Sequence, residues 1–140
     1  MQAREIMSRD PRCVTPDASV REAARLMKDE DVGVLPVVEA DGKDKRLVGM
    51  VTDRDIVLRV VAEGKDVQSS TVGEVASRDL VTVDPQQDLD EALRLMAQHQ
   101  VRRLPVVEED GRLVGILAQA DVATAGHDAK TGQVVEEISK

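Results

Sequence analysis

Two stretches of the chain place apolar residues at the spacing of an amphipathic helix. In both stretches the apolar positions recur at i, i+3, i+4 and i+7. They are Val20, Ala23, Ala24 and Met27 in the first stretch, and Leu89, Ala92, Leu93 and Met96 in the second. Ser19 followed by Glu22, and Asp88 followed by Glu91, match the capping box that begins many helices. We therefore predict helices that start directly after Ser19 and Asp88.

Short apolar runs bounded by turn signals predict strands. Residues 34–38 form one such run, and Pro36 places it near a sheet edge or at the start of a strand. The dipeptides Asp41-Gly42 and Asp110-Gly111 are typical of hairpins, and the second leads into an apolar run over 113–117. Each helix is therefore followed by a predicted pair of strands.

A second helix follows the strand pair. In the first half of the chain it begins near Thr52 and ends at Gly64, a residue type that commonly terminates helices. Residues 14–16 and 81–83 predict short leading strands ahead of the first helix of each half. The predicted order in each half is strand, helix, strand, strand, helix.

The two halves share sequence at a constant offset of 69 residues. Between residues 20 and 42, thirteen of the twenty-three positions are identical to the residue 69 positions further on. The first copy then carries three extra residues within 43–46, after which Leu47-Val48-Gly49 matches Leu113-Val114-Gly115. The chain is therefore two copies of one unit of roughly sixty residues.

A unit of this size buries little apolar surface by itself, so we expect the copies to share a core about a pseudo-twofold axis. The predicted fold class is α+β, with repeat 1 at 1–66, repeat 2 at 67–126 and a polar C-terminal tail at 127–140. Residues 66–70 form the predicted linker, and the tail carries a short apolar pattern at Val134, Val135 and Ile138.

Composition disfavours several classes of partner. The net charge of −8 repels polyanions, and without Phe, Tyr or Trp the chain has no stacking platform for single-stranded nucleic acid. The sequence has neither a run of eighteen apolar residues nor an apolar leader, which predicts a protein outside membranes and the secretory route. Cys13 is the single cysteine, so no intrachain disulfide forms and a cytoplasmic location fits.

The paired pattern LPVV, LVG and a following Asp, present in each half, resembles the CBS-domain pair, or Bateman module. The resemblance covers residues 1 to about 126. It implies a regulatory module that binds adenosine-containing ligands (AMP, ADP, ATP or S-adenosylmethionine) in clefts between the copies, and it is closest in kind to stand-alone CBS-pair proteins. It also implies a homodimeric disc in which apolar helix faces meet. Those faces would contain Ile56, Val57, Val60, Val61 and their counterparts after Asp121.

The segment from Gly49 to Asp55 matches the nucleotide motif of this family. Thr52 ends a strand and Asp55 falls in the first turn of the next helix, where a carboxylate can accept both hydroxyls of a ribose. The helix N-terminus can receive a phosphate, Gly49 permits close approach of the backbone to a ligand, and Met50 can flank an adenine. The alternative is that Thr52 and Asp55 form a plain helix cap.

The resemblance adds residues from the second copy to this site. Positions just before the strand at Leu104 contact the nucleotide in the family, so Arg102 and Arg103 are candidates for binding its phosphate. The alternative is that both arginines pair with surface carboxylates. Thr82 is a further candidate for the same cleft.

The mirror-image site is poorer in polar groups. It keeps Asp121 but has Ala118 where Thr52 stands in the first copy. Its partner positions from the first copy are Gly33 and Val34, and Thr15 is its other polar candidate. We expect this second, weaker site to bind an uncharged adenosine moiety or to stay empty.

Neither a metal site nor catalysis is predicted. His99 and His127 stand alone, and Cys13 has no histidine near it in sequence. The sequence therefore predicts a non-catalytic sensor that needs no cofactor, binds an adenine nucleotide (AMP or ATP class) as a regulatory ligand and signals to an unknown protein client. The alternative is a protein-interaction module with a vestigial ligand site.

Overall fold

The computed structural model describes the backbone of residues 1–41 and 44–130, and the side chains of these residues except 40, 41 and 126–130. Gly42 of the predicted first hairpin, the His127 side chain and the apolar pattern in the tail lie outside the described residues. None of the described helices is long and apolar enough to cross a membrane.

The described chain contains six α-helices, one π-helical turn and five strands. In order they are α1 (Ala3–Ile6), β1 (Ser8–Arg9), α2 (Val20–Glu30), β2 (Val34–Asp41), β3 (Asp44–Thr52), α3 (Asp53–Ile56) with a π-helical turn (Val57–Val61), α4 (Val72–Val75), α5 (Leu89–His99), β4 (Arg103–Val107), β5 (Leu113–Ala118) and α6 (Gln119–Lys130).

Helices α2 and α5 confirm the spacing prediction. The Ser19 hydroxyl accepts the N–H of Glu22 at 3.1 Å, and the Asp88 carboxylate caps α5 through the N–H of Asp90. Of the predicted apolar positions, Ala24 is exposed, because the core-facing stripe of α2 runs through Val20, Ala23 and Met27. Both helices end on a left-handed residue at the same repeat position, with a φ of 55° at Asp31 and at Gln100.

The strand pairs form antiparallel ladders. β2 pairs with β3 from Val34↔Thr52 to Asp41↔Asp44, with a bulge between Val37 and Val38. The other sheet has the order β1-β5-β4. The predicted leading strands at 14–16 and 81–83 are single bridges instead, because only Val14 and Val83 pair in parallel, with Val37 and Val106.

The chain divides into two compact units whose boundaries cross the sequence repeats. The first-repeat unit comprises residues 11–80 and 111–113, and the second-repeat unit comprises 1–10, 81–110 and the described chain from 114 onward. Residues 1–10, at the start of repeat 1, therefore belong to the second-repeat unit. Residues 67–80, at the start of repeat 2, belong to the first-repeat unit. We call residues 1–10 and 67–80 the leading segments.

Each unit has its own hydrophobic core. The first-repeat core includes two residues of α4, Val72 and Val75, which are almost fully buried. The second-repeat core includes Ala3 of α1 together with Met96, Leu104 and Leu117. Each leading segment therefore supplies buried residues to the unit it joins.

The predicted linker lies against helix α2. The N–H of Val20 donates to Ser70 O at 2.9 Å, and the N–H of Arg21 donates to Val67 O at 3.1 Å. Ser70 is buried, with 5% of its surface exposed. These hydrogen bonds make residues 67–70 part of the first-repeat unit and fix the direction in which the chain enters α4.

Candidate functional site

Thr52 and Asp55 lie where β3 meets α3, and each caps the other. The Thr52 Oγ1 accepts the Asp55 N–H at 3.0 Å, and the Asp55 Oδ2 accepts the Thr52 N–H at 3.0 Å. Thr52 is the extended N-cap residue, with φ −113° and ψ 161°. This capping box is the helix-cap arrangement that the sequence left as an alternative, and it uses one of the two carboxylate oxygens.

The other oxygen of Asp55 faces an arginine that the sequence analysis did not single out. Arg59 Nε lies 4.0 Å from Asp55 Oδ1, and the Asp55 side chain is 18% exposed. Arg59 Nη1 also donates to the carbonyl of Val75 at 3.1 Å. The i, i+4 spacing of Asp55 and Arg59 is the signal that could have revealed this pair.

Gly49 allows close approach of another chain segment to β3. A Cβ at this position would lie 3.0 Å from Ser77 O, so the absence of a side chain at Gly49 lets the leading segment lie close to β3. Met50 and Ser77 exchange two backbone hydrogen bonds of 3.0 and 2.9 Å. In the second-repeat unit Gly115 faces Ser8 O in the same way, at 2.9 Å.

The start of each strand pair carries opposite charge in the two units. The Asp53 N–H donates to Gly33 O at 2.9 Å, and a Cβ on Gly33 would lie 3.1 Å from Asp53 Oδ2. At the equivalent positions of the second repeat, the Gln119 N–H donates to Arg102 O at 2.7 Å. The backbone link is the same, but a carboxylate lies beside it in one unit and an arginine in the other.

The structure distributes the remaining predicted residues between the units. Arg102 is exposed, whereas Arg103 and Thr82 are half-buried. Ala118 ends β5, and Asp121 is exposed in the first turn of α6. These five residues belong to the second-repeat unit, and Gly49, Met50, Thr52 and Asp55 belong to the first-repeat unit together with Thr15 and Val34.

Thr15 is already engaged within its own unit. Its hydroxyl donates to Asp17 Oδ1, which holds the pKa of that carboxyl below its usual value. Val34, the other candidate from this unit for the weaker site, pairs with Thr52 in the β2–β3 ladder. A ligand that uses the Thr15 hydroxyl as a donor must therefore displace Asp17.

Cys13 is half-buried and its thiol donates to Pro11 O at 3.1 Å. Burial raises the pKa of the thiol, and the charge of Lys45 lowers it by less. Among the described residues, no group of three His, Cys, Asp or Glu side chains could hold a metal ion.

The apolar surface of α3 and its π-helical turn differs from the predicted helix face. Ile56 and Val60 were expected on that face but lie in the first-repeat core, on the side of the helix that faces away from solvent. The exposed residues are Val57, Leu58 and Val61, at 53%, 48% and 59%. We call these three residues the apolar patch.

The CBS domain profile matches residues 3–62 and 72–128, which is nearly the whole described chain. This chain belongs to the CBS domain family. The predicted α+β fold with two CBS repeats is confirmed, and so is the resemblance to stand-alone CBS-pair proteins. The CBS pair is a regulatory module and not a catalytic one, as the sequence predicts.

Relatives of this CBS pair include proteins of known structure. Hypoxic response protein 1 of Mycobacterium tuberculosis is 44% identical over 121 residues, covering 86% of this chain and 82% of its own length. A crystal structure of Hypoxic Response Protein I, with two coordinated zinc ions, superposes with a TM-score of 0.79 at 41% identity, covering 89% of this chain and 98% of that one.

Two further CBS structures contain adenosine derivatives. CBSX2 in complex with AMP has a TM-score of 0.77 at 28% identity and covers 92% of this chain and 98% of its own; CBSX2 comes from Arabidopsis thaliana. The CBS-domain pair of protein MJ0100, with 5′-methylthioadenosine and S-adenosyl-L-methionine, has a TM-score of 0.79 at 26% identity, with coverages of 93% and 98%.

Proposed function

We propose that this CBS pair binds an adenine nucleotide of the AMP, ADP or ATP class between its repeats and signals occupancy to a protein client. The observation that carries the proposal is the Thr52–Asp55 pair, a half-buried carboxylate held at the start of a helix with one oxygen left over by the cap. The adenosine ligands of CBSX2 and MJ0100 support the ligand class.

The proposed chemistry divides the ligand among three kinds of group. Asp55 accepts hydroxyl hydrogen bonds from the ribose, and Thr52 lies beside the backbone N–H groups that begin α3. Arg102 and Arg103 contact phosphate oxygens through their guanidinium groups. Because the chain has no aromatic residue, aliphatic side chains such as Met50 hold the adenine. Gly49 and Thr82 complete the proposed site.

We further propose one tight nucleotide site per chain. The weaker site, assigned to Thr15, Val34, Ala118 and Asp121, offers a carboxylate and no cation. Asp53, beside Gly33, adds a second carboxylate on the first-repeat side of that site. A phosphate there meets like charge, whereas an uncharged adenosine does not.

Calorimetry with AMP and adenosine tests the proposal. AMP is expected to bind with a stoichiometry of one per chain and with an affinity that falls as salt rises. Arg103→Ala is expected to lower the AMP affinity by about tenfold or more through the loss of a charge-assisted hydrogen bond, and to leave the adenosine affinity unchanged.

Arg4→Ala is the matched control, because Arg4 is an exposed arginine of the same unit and its removal changes the net charge equally. Two equal AMP sites per chain, or equal losses for AMP and adenosine, would contradict the assignment of Arg103 to phosphate.

A protein-interaction module with a vestigial site is the second candidate function. The observation that favours it is that the reciprocal capping box accounts for Thr52 and Asp55 without any ligand. Under this candidate, no adenosine derivative raises the melting temperature, whereas a bound nucleotide raises it by mass action. Thermal unfolding followed by an external dye separates the two functions.

We propose a homodimer in which the apolar patch contacts a second copy. The patch consists of three neighbouring aliphatic side chains that are each about half exposed, and association commonly buries such surfaces. The dimeric disc implied by the family resemblance favours a second copy of this chain as the partner. Val57→Asp combined with Val61→Asp is expected to give a monomer in analytical ultracentrifugation. Because neither residue is in the core, the melting temperature in the far-UV circular dichroism signal at low concentration should change little.

Ala24→Asp combined with Ala97→Asp is the matched control, because both are exposed apolar residues outside the patch and the double change adds the same charge. A Val57 and Val61 double variant that sediments like the wild type would contradict the proposed interface. The cytoplasmic location and the protein client stay predictions from the sequence. We propose no zinc site like that of Hypoxic Response Protein I, since the described donors form no suitable group.

A further inference from the structure

Arg59 joins two features of the first-repeat unit through one side chain. Its Nη1 donates to the carbonyl of Val75, the last residue of α4, while its Nε faces Asp55 Oδ1 at 4.0 Å. Val75 itself is buried, at 2% exposure. The carbonyl at the end of a helix has no partner within that helix, so the guanidinium supplies one. The hydrogen bond fixes the end of a side chain that is 56% exposed.

The two oxygens of Asp55 therefore face different partners. Oδ2 is held by the Thr52 N–H at 3.0 Å, and Oδ1 is attracted by a guanidinium that is itself anchored on α4. A carboxylate held at only one oxygen can rotate about its last bond, because terminal sp³–sp² torsions have broad energy wells. The charge attraction at Oδ1 adds to the hydrogen bond at Oδ2, and together they favour one plane of the carboxylate.

The second repeat carries no counterpart of this arrangement. At the equivalent positions Asp121 replaces Asp55, Ala125 replaces Arg59 and Ile6 replaces Val75. Asp121 is exposed, whereas Asp55 is half-buried. The motif carboxylate is present in both repeats, but only the first repeat encodes an arginine four residues after it.

We propose that Arg59 is a positioning residue that orients the Asp55 carboxylate for the two hydroxyls of a ribose. This inference rests on the proposed nucleotide site. Arg59 does not contact the ligand; it acts through Asp55, and its anchor on Val75 ties the orientation of that carboxylate to the leading segment 67–80. The ligand class selected in this way is a ribonucleotide with both its 2′ and 3′ hydroxyls.

The test compares AMP with 2′,3′-dideoxy-AMP, which lacks both hydroxyls, by calorimetry on the full chain. Wild-type protein is expected to bind AMP more tightly than the dideoxy analogue. Arg59→Gln is expected to lower the AMP affinity about fivefold and to change the affinity for the analogue less than twofold, since a hydrogen bond to a misaligned carboxylate weakens steeply. Arg59→Lys, which keeps the charge but not the planar fork, is expected to fall between.

Arg54→Gln is the control, because Arg54 is exposed on the same short helix and its removal changes the charge equally. It should leave both affinities unchanged. Equal losses for AMP and the analogue in Arg59→Gln, or an unchanged AMP affinity, would overturn the positioning role while leaving the nucleotide site intact. A wild-type protein that binds neither ligand would overturn the proposed function and this inference together.

Discussion

Replacing Asp55 by alanine is expected to weaken AMP binding by about 30-fold or more. The substitution removes two charge-assisted hydrogen bonds to the proposed ribose, of order 2–4 kcal/mol in binding free energy. It also removes the Oδ2 acceptor of the capping box, which should lower the free energy of unfolding by ~0.5–1 kcal/mol. Calorimetric titration gives the affinity, and urea unfolding followed by circular dichroism gives the stability.

Asp121→Ala is the matched control for this prediction, because Asp121 occupies the same motif position in the second repeat. It should leave the tight site almost unchanged. If Asp55→Ala lowers the stability but not the AMP affinity, the residue is only a helix cap and the interaction-module candidate gains.

A fragment of residues 1–66 is expected to be largely unfolded, and a fragment of residues 11–80 is expected to be substantially better folded. Fragment 1–66 ends at the boundary of the sequence repeat and therefore lacks Val72 and Val75, which are 0% and 2% exposed in the first-repeat core. It also retains residues 1–10, which belong to the other unit. Because domains of this size are marginally stable, loss of two core valines should abolish cooperative folding.

Urea unfolding monitored by far-UV circular dichroism distinguishes the two fragments. Fragment 11–80 should show a sigmoidal transition, and fragment 1–66 should show a shallow, featureless one. Fragment 11–80 with Val72 and Val75 both changed to serine is the control, and it should resemble fragment 1–66. A sharp, concentration-independent unfolding transition of fragment 1–66 would show that the leading segment 67–80 is not needed for folding.

The elements that the sequence predicted are those with strong local signals. The apolar spacing of α2 and α5 was sufficient because their buried positions recur at the helical period. Their ends were not predicted, since Asp31 and Gln100 adopt left-handed conformations more typical of glycine. Pairing through the isolated residues Val14 and Val83 depends on strands elsewhere in each unit, so apolar runs alone overstated their length.

The sequence repeat extends into the leading segments, beyond the range of residues 20–42 on which the repeat was identified. The offset of 69 continues to the N-terminus, where Glu5, Ser8, Arg9 and Asp10 match Glu74, Ser77, Arg78 and Asp79. Extending the comparison would have placed the start of both repeats near α1 and α4. It would not have revealed which unit each segment joins, since that depends on packing between distant parts of the chain.

The sequence predicted which residues form the candidate site better than it predicted the contacts that these residues make. Thr52 and Asp55 were identified from their spacing, and so was the cap that they form. The nucleotide-binding role of Gly49 stays a prediction, whereas the close approach of Ser77 to Gly49 has no signal in the sequence. The i, i+4 spacing of Asp55 and Arg59 indicates their pairing, but the hydrogen bond from Arg59 to the Val75 carbonyl, sixteen residues away, has no signature in the sequence.

Because each leading segment packs in a unit that is distant in sequence from one end of the chain or the other, the two units complete their cores at different times during synthesis. On a chain made from its N-terminus, the first-repeat core closes once Val72 and Val75 have left the ribosome. Ser8 must wait far longer, because its strand partner Ile116 belongs to β5, the last strand of the described chain. Closing so long a loop carries an entropic cost that local contacts avoid. Residues 1–10 are therefore translated before every other segment of their unit, yet they are among its last residues to reach their native neighbours.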